Sequence, residues 1–187
     1  MQMSGEYRIT APRQAVWDAL NDPEVLKQCI PGCEEMTRSG DNAFEAKVVA
    51  KVGPVRAKFG GKVELTDIDP PNGYTISGQG QGGAAGFAKG GATVKLAEDG
   101  GETVLSYTVD ASVGGKLAQI GSRLIDATAK KMANDFFSRF AEIVAGPAVE
   151  AVPAPAAEEA KGLPTYVWVG GLVAIVVILL LVFTNLG

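Results

Sequence analysis

The chain has 187 residues, 47% of them hydrophobic and 20% charged, and a formal net charge of −4. That length makes one ordinary domain with appendages, and the acidic balance speaks against a nucleic-acid binder, which carries a basic excess on one face. With no histidine and only two cysteines, Cys29 and Cys33, the chain lacks the commonest general base and metal ligand and cannot be a disulfide scaffold.

The opening residues contain no apolar run of signal-peptide length, which predicts a domain on the cytoplasmic side. Residues 5–10 read as a short strand ended by Ala11-Pro12. Pro12 suits the first turn of a helix whose buried side is Val16, Trp17 and Leu20. Asp22-Pro23 starts a second short helix, which Pro31-Gly32 stops. The period then changes to two. Phe44, Ala46, Val48, Ala50 and Val52 alternate with Glu45, Lys47, Val49 and Lys51, and beyond a Gly53-Pro54 turn Val55, Ala57, Phe59, Val63 and Leu65 alternate with Arg56, Lys58, Lys62 and Glu64. The result is a hairpin with one dry face and one basic face. Lys47, Lys51, Arg56, Lys58 and Lys62 form a stripe with no acid between Ala46 and Val63; it reads either as a solvated face or as a docking surface for an acidic protein or anionic headgroups. Turn chemistry at 69–73 precedes strands at 74–82, about 88–97 and 102–113.

From 115 to 145 the apolar residues Leu117, Ile120, Leu124, Thr128, Met132, Phe136, Phe140 and Val144 recur at steps of three and four, the mark of a long amphipathic helix. Arg123, Asp126, Lys130, Asn134, Asp135, Arg139 and Glu142 make its wet side, with Asp126/Lys130 and Asp135/Arg139 at ion-pair spacing. The expected fold class is α+β, an antiparallel sheet curled around this helix. Residues 1–146 form the domain. Residues 147–164, rich in Pro, Ala and Glu, form a tether that reaches about 50 Å when extended. Residues 165–187 hold an uncharged stretch long enough to cross a bilayer, with Tyr166 and Trp168 at the interfacial level. The expectation is a single-pass tail anchor in the cytoplasmic membrane.

Candidate chemistry is sparse. Cys29 and Cys33 are neither a C-x-x-C pair nor half of a zinc site, which needs ligands the chain lacks, and read as buried structural thiols. Gly78, Gly80 and Gly83 match G-x-G-x-x-G, but glycines at 86, 90 and 91 break the helix that a dinucleotide site requires. Gly114-Gly115-Lys116 lacks the first glycine and the hydroxyl of a P-loop. Period two gives the glycines another meaning. If Tyr74 and Ile76 face the helix, so do Gly78, Gly80 and Gly82, with Gly90 and Ala92 beside them. Either Phe136, Phe137 and Phe140 fill the space above this floor, or it lines a cavity with residues 82–91 as a lid bearing Phe87. The candidate lining is Trp17, Phe44, Phe59, Tyr74, Ile76, Gly78, Gly80, Phe87, Gly90, Tyr107, Ile120, Leu124, Thr128 and Phe136. No inward strand position carries an acid, base or nucleophile, so no catalytic residue and no metal ligand is assigned.

Residues 22–34 (DPEVLKQCIPGCE), 86–90 (GFAKG) and 113–123 (VGGKLAQIGSR) resemble the CoxG family of carbon monoxide dehydrogenase subunits, of the START-like, helix-grip superfamily of hydrophobic-ligand binders. The resemblance covers about residues 1–145. It implies a six- or seven-stranded sheet gripping the C-terminal helix and attachment of a molybdenum-containing carbon monoxide dehydrogenase to the cytoplasmic membrane. It further implies carriage of a respiratory quinone, menaquinone or ubiquinone, between bilayer and enzyme. The superfamily has no shared catalytic set to carry over. Two other readings stay open: a membrane-anchored interaction module without a ligand, and an enzyme of the superfamily's cyclase or hydrolase kind.

Overall fold

Alternation of apolar and polar residues builds seven strands, β1 (Gln2–Ile9), β2 (Cys33–Gly40), β3 (Ala43–Val52), β4 (Val55–Asp69), β5 (Gly73–Gln81), β6 (Phe87–Asp99) and β7 (Glu102–Gly114). They join antiparallel in the order β1-β7-β6-β5-β4-β3-β2. The structure is a computed structural model that describes residues 1–145; the tether and the apolar tail read from the sequence lie outside the described residues. No helix among those described is long and apolar enough to cross a membrane.

Strands β1 and β2 are the two edges of the sheet, and the short helices α1 (Arg13–Leu20) and α2 (Pro23–Cys29) carry the chain between them. Asp22 caps α2 as its spacing predicts, its Oδ1 accepting from the Glu24 N–H at 2.8 Å, with Pro23 in the first turn. The meander from β2 to β7 ends at Gly114. A one-turn helix α3 (Lys116–Gln119) and the long helix α4 (Ser122–Ala145) follow, and α4 lies across the inner face. The core is continuous, running from Ile9 and Trp17 through the inner faces of the strands to Phe136, Phe137 and Phe140.

Four expectations change. Strand β2 has no counterpart in the sequence reading, because only Met36 of its eight residues is buried and an edge strand with one wet flank shows no alternation. The helix expected over 115–145 is broken at Gly121, whose φ of 95° leaves the helical region. The stripe also turns. Residues four apart advance 400° on a 3.6-residue helix, so a run of such steps drifts about 40° each time. The face that α4 buries is therefore Ile125, Ala129, Ala133, Phe136, Phe137 and Phe140, while Leu124 is 43% exposed and Thr128, Met132 and Val144 are half-buried. The i,i+4 ion pair on its wet side is Lys131–Asp135 rather than the pairs expected.

Candidate ligand-binding site

The register of the sheet sets small residues in rows across the strands on the inner face. One row runs Ala46, Gly61, Gly80, Ala88; the next runs Phe44, Val63, Gly78, Gly90, Ala111; a third runs Leu65, Ile76, Ala92, Val109. The phase of β5 is the predicted one, with Tyr74, Ile76 and Gly80 buried and Ser77, Gln79 and Gln81 turned outward. Helix α4 crosses above these rows and comes within 8 Å of the sheet backbone chiefly at its two sides, β1 and β3. Ala129 and Ala133 are among the residues it buries, and Phe44 and Phe59 are buried on the hairpin. Phe136, Phe137 and Phe140 form an aromatic cluster, Phe137 stacking on Tyr7 with ring centroids 4.1 Å apart and on Tyr107 at 6.1 Å.

Gly78 and Gly90 have an additional cause. A Cβ on Gly78 would lie 2.5 Å from the Lys62 carbonyl oxygen, and one on Gly90 would lie 2.2 Å from that of Asp110. The strands there approach too closely for any side chain, so these glycines let the sheet bend around the helix.

Of the candidate lining, Trp17, Phe44, Phe59, Tyr74, Ile76, Tyr107 and Phe136 belong to the core, and the three glycines lie on the inner rows. Trp17 packs edge-on against Tyr74, centroids 5.5 Å apart. Leu124 and Phe87 do not join them; they are 43% and 48% exposed. Ile120 sits at the margin of the core, and Thr128 turns its hydroxyl to the Leu124 carbonyl at 2.8 Å. The lid expected over 82–91 is a single 3₁₀ turn, Gly83–Ala85, after which Phe87 already begins β6. Sequence reasoning missed Ile125, Ala129 and Ala133 as lining; the i,i+4 spacing of those three was the available signal.

The electrostatics of the interior are those of a hydrocarbon. Apart from the aromatic residues and Cys29, the buried polar side chain among the described residues is Thr103, whose Oγ1 donates to the Ala11 carbonyl at 2.7 Å. Burial pushes the Tyr74 and Tyr107 phenols above their ordinary range. The thiols are also held protonated. Burial raises Cys29 to about 12 and Cys33 to about 11, the latter only half-buried and donating to the Glu35 carbonyl at 3.3 Å. Among the described residues no group of His, Cys, Asp or Glu is placed to hold a metal.

Two surface grooves lie elsewhere. One, of about 560 Å³, runs between the end of α2 and α4 and carries Lys27, Asp135, Arg139 and Glu142; the other, of about 520 Å³, is a dent over Gly91 on the outer face, walled by Thr75, Thr93, Thr108 and Asp110. The basic stripe of the hairpin is largely neutralised by acids that β2 and β3 bring alongside. Lys47 meets Glu35 at 2.7 Å, Lys58 meets Glu34 at 2.7 Å and Lys62 meets Glu45 at 3.6 Å, which leaves Lys51 and Arg56, facing each other at the hairpin tip, outside any ion pair among the described residues.

A family model described as the CoxG subunit of carbon monoxide dehydrogenase matches residues 5–145. The chain belongs to this family. Its fold is that of a CoxG-family helix-grip domain, and solved structures agree. A conserved protein from Geobacillus kaustophilus is 32% identical, with a TM-score of 0.73 over 78% of this chain and 95% of its own. A protein from Thermus thermophilus is 16% identical with a TM-score of 0.60, covering 77% of this chain and 97% of its own. An aromatase/cyclase from Streptomyces sp. R1128 is 14% identical with a TM-score of 0.58, covering 77% and 93%. The last two share the fold alone. The curated protein sequences give no match.

Proposed function

We propose that this CoxG-family chain is a non-catalytic adaptor that holds a respiratory quinone between sheet and helix. Anchored by its C-terminal tail in the cytoplasmic membrane, it attaches a carbon monoxide dehydrogenase-type molybdenum enzyme there. What supports the ligand half is the set of small inner-face residues on the central strands, Gly61, Gly80 and Ala88 side by side and Ala92 near them, together with the buried Ala129 and Ala133 of α4. A flat prenylated ring needs an apolar slot of this kind and few polar partners. The partner half rests on the family, whose description is of a dehydrogenase subunit. The quinone is redox cargo here, and the buried residues supply an apolar enclosure around it.

The test is solvent extraction and mass spectrometry of the full chain purified from membranes. The wild-type protein yields a stoichiometric quinone. Gly80→Leu and Ala88→Leu, which put a large side chain into the same row, lose it while still folding and still retaining the dehydrogenase. Wild-type protein that never carries a quinone sinks the ligand half. The second reading, an anchoring module without a ligand, has one observation in its favour: Gly78 and Gly90 are required by close strand backbones whether or not anything binds.

A further inference from the structure

The two edges of the sheet are covered unequally. On β2 the inward-facing Met36 is buried, because α2 lies over that edge. On β1 the inward positions are Met1, Met3, Gly5 and Tyr7, which sit opposite the buried Ala111, Val109, Tyr107 and Leu105 of β7, yet all of them are only half-buried. The path of α4 is the cause. It touches β1 at Tyr7, whose hydroxyl donates to Asn134 Oδ1 at 2.7 Å and whose ring stacks on Phe137. About 15 Å back along the helix, at about 1.5 Å per residue, Leu124 lies on Gly53 at the β3–β4 tip, on the rim where α4 begins and across β7, β6 and β5 from β1. The helix therefore crosses the sheet obliquely, and a wedge opens between the first half of β1 and the first turns of α4.

The wedge leads to the small-residue rows. Met1 heads the row that runs through Ala111 to Gly90 and Gly78, and Val113, also half-buried, heads the row that runs through Ala88 to Gly80 and Gly61. Its sheet wall is methionine, glycine and valine, without a charge. Asp126 and Lys130, at steps of four before Asn134 and so on the same flank of α4, form the opposite lip. Methionine side chains yield to an irregular apolar body more readily than branched ones do. We propose that this wedge is the passage through which the quinone enters and leaves the interior, with the Tyr7–Asn134 bond pinning its narrow end. The hairpin flank of α4 also has half-buried apolar residues, Val55 and Ala57, but there Ile120 and Leu124 close over Gly53. This rests on the quinone-carrying reading and deepens it by naming the route to the site.

The experiment is stopped-flow fluorescence on the full chain in detergent, stripped of lipid, with menaquinone-4 as the probe. Trp168→Phe leaves Trp17 of the core as the reporter that the quinone quenches. An arginine on the wedge wall obstructs passage without reaching the small-residue rows, so Met3→Arg slows association and release alike, each at least about tenfold, and leaves Kd within about twofold. Tyr7→Phe, which keeps the ring and loses the bond to Asn134, speeds both steps by about threefold at the same Kd. Circular-dichroism spectra of the variants match the wild type. Unchanged rates in Met3→Arg at wild-type affinity overturn the passage and leave the quinone reading standing. Weaker binding without slower release makes Met3 part of the binding site and overturns the passage as well. Slowing by Val55→Arg and not by Met3→Arg moves the route to the hairpin and overturns the proposal. Wild-type protein that neither quenches with the probe nor yields a quinone on extraction overturns the ligand reading, and the passage with it.

Discussion

At the scale of single residues, the two thiols show how burial decides chemistry. Cys29 sits at the end of α2 against the core, and desolvation of its thiolate lifts it to about 12 from an ordinary 9.0. The neutral form is the one the fold favours. Its contribution to stability is therefore complete below pH 9 and is lost as pH rises from 9 towards 12, where the unfolded chain ionises and the native one does not. Thermal midpoints measured from pH 8 to 11 fall with pH, and the slope is shallower in Cys29→Ala. At pH 8, iodoacetamide labels native Cys33, raised to about 11, on the order of 100-fold more slowly than a free peptide thiol, and Cys29 more slowly still. The turn between the two thiols is held by Gly32, with φ at 77°, whose carbonyl accepts from the Val49 N–H at 2.9 Å, and the Cys33 thiol donates to the Glu35 carbonyl.

At the scale of elements, helix α4 separates what a spacing pattern can and cannot fix. That a long amphipathic helix occupies this stretch was legible, because every window of it has apolar residues at helical separation. Its rotation was not. Both Leu124 and Ile125 are apolar, and the choice between them belongs to the Gly121 break and to the aromatic cluster that locks Phe136, Phe137 and Phe140 inward. Two substitutions measure the outcome. Phe136→Ala, in a fully buried position, costs about 3 to 5 kcal/mol in chemical unfolding. Leu124→Ala, on the rim, costs less than about 1 kcal/mol. Comparable losses at the two positions return the helix to the phase that its steps of four suggest. The hairpin has a parallel lesson. Its lysines form an unbroken basic stripe in sequence, yet three of the five cations meet Glu34, Glu35 and Glu45, two of those acids supplied by the edge strand that shows no alternation of its own. Exposed pairs of this kind are each worth under about 1 kcal/mol, so they mute the field of the stripe without holding the fold together.

At the scale of the whole molecule, the core closes within residues 1–145: the sheet runs from β1 to β2 without a gap in pairing, and α4 seals its inner face. Removing residues 146–187 should therefore leave a cooperative domain whose thermal midpoint lies within about 2 °C of the full chain's. A truncated protein that still pellets with membranes at about 1 M salt, where charges are screened within a few ångströms, shows a membrane attachment that the proposed tail anchor does not account for.

The sequence by itself determined the class of the domain. Period two, turn chemistry at 69–73 and at 100–101, and one long amphipathic segment leave few architectures other than a meander wrapped on a helix, and local periodicity is enough because each element states its own buried face. It also set the expectation that no catalytic group would be assigned, since the chain has no histidine and the strand positions read as inward carry no charge. Only the tertiary structure decided which small residues face one another. Gly61, Gly80 and Ala88 become a row through cross-strand register, and Ala129 and Ala133 face the sheet through the rotation of a helix; both are set by contacts among residues far apart in the chain.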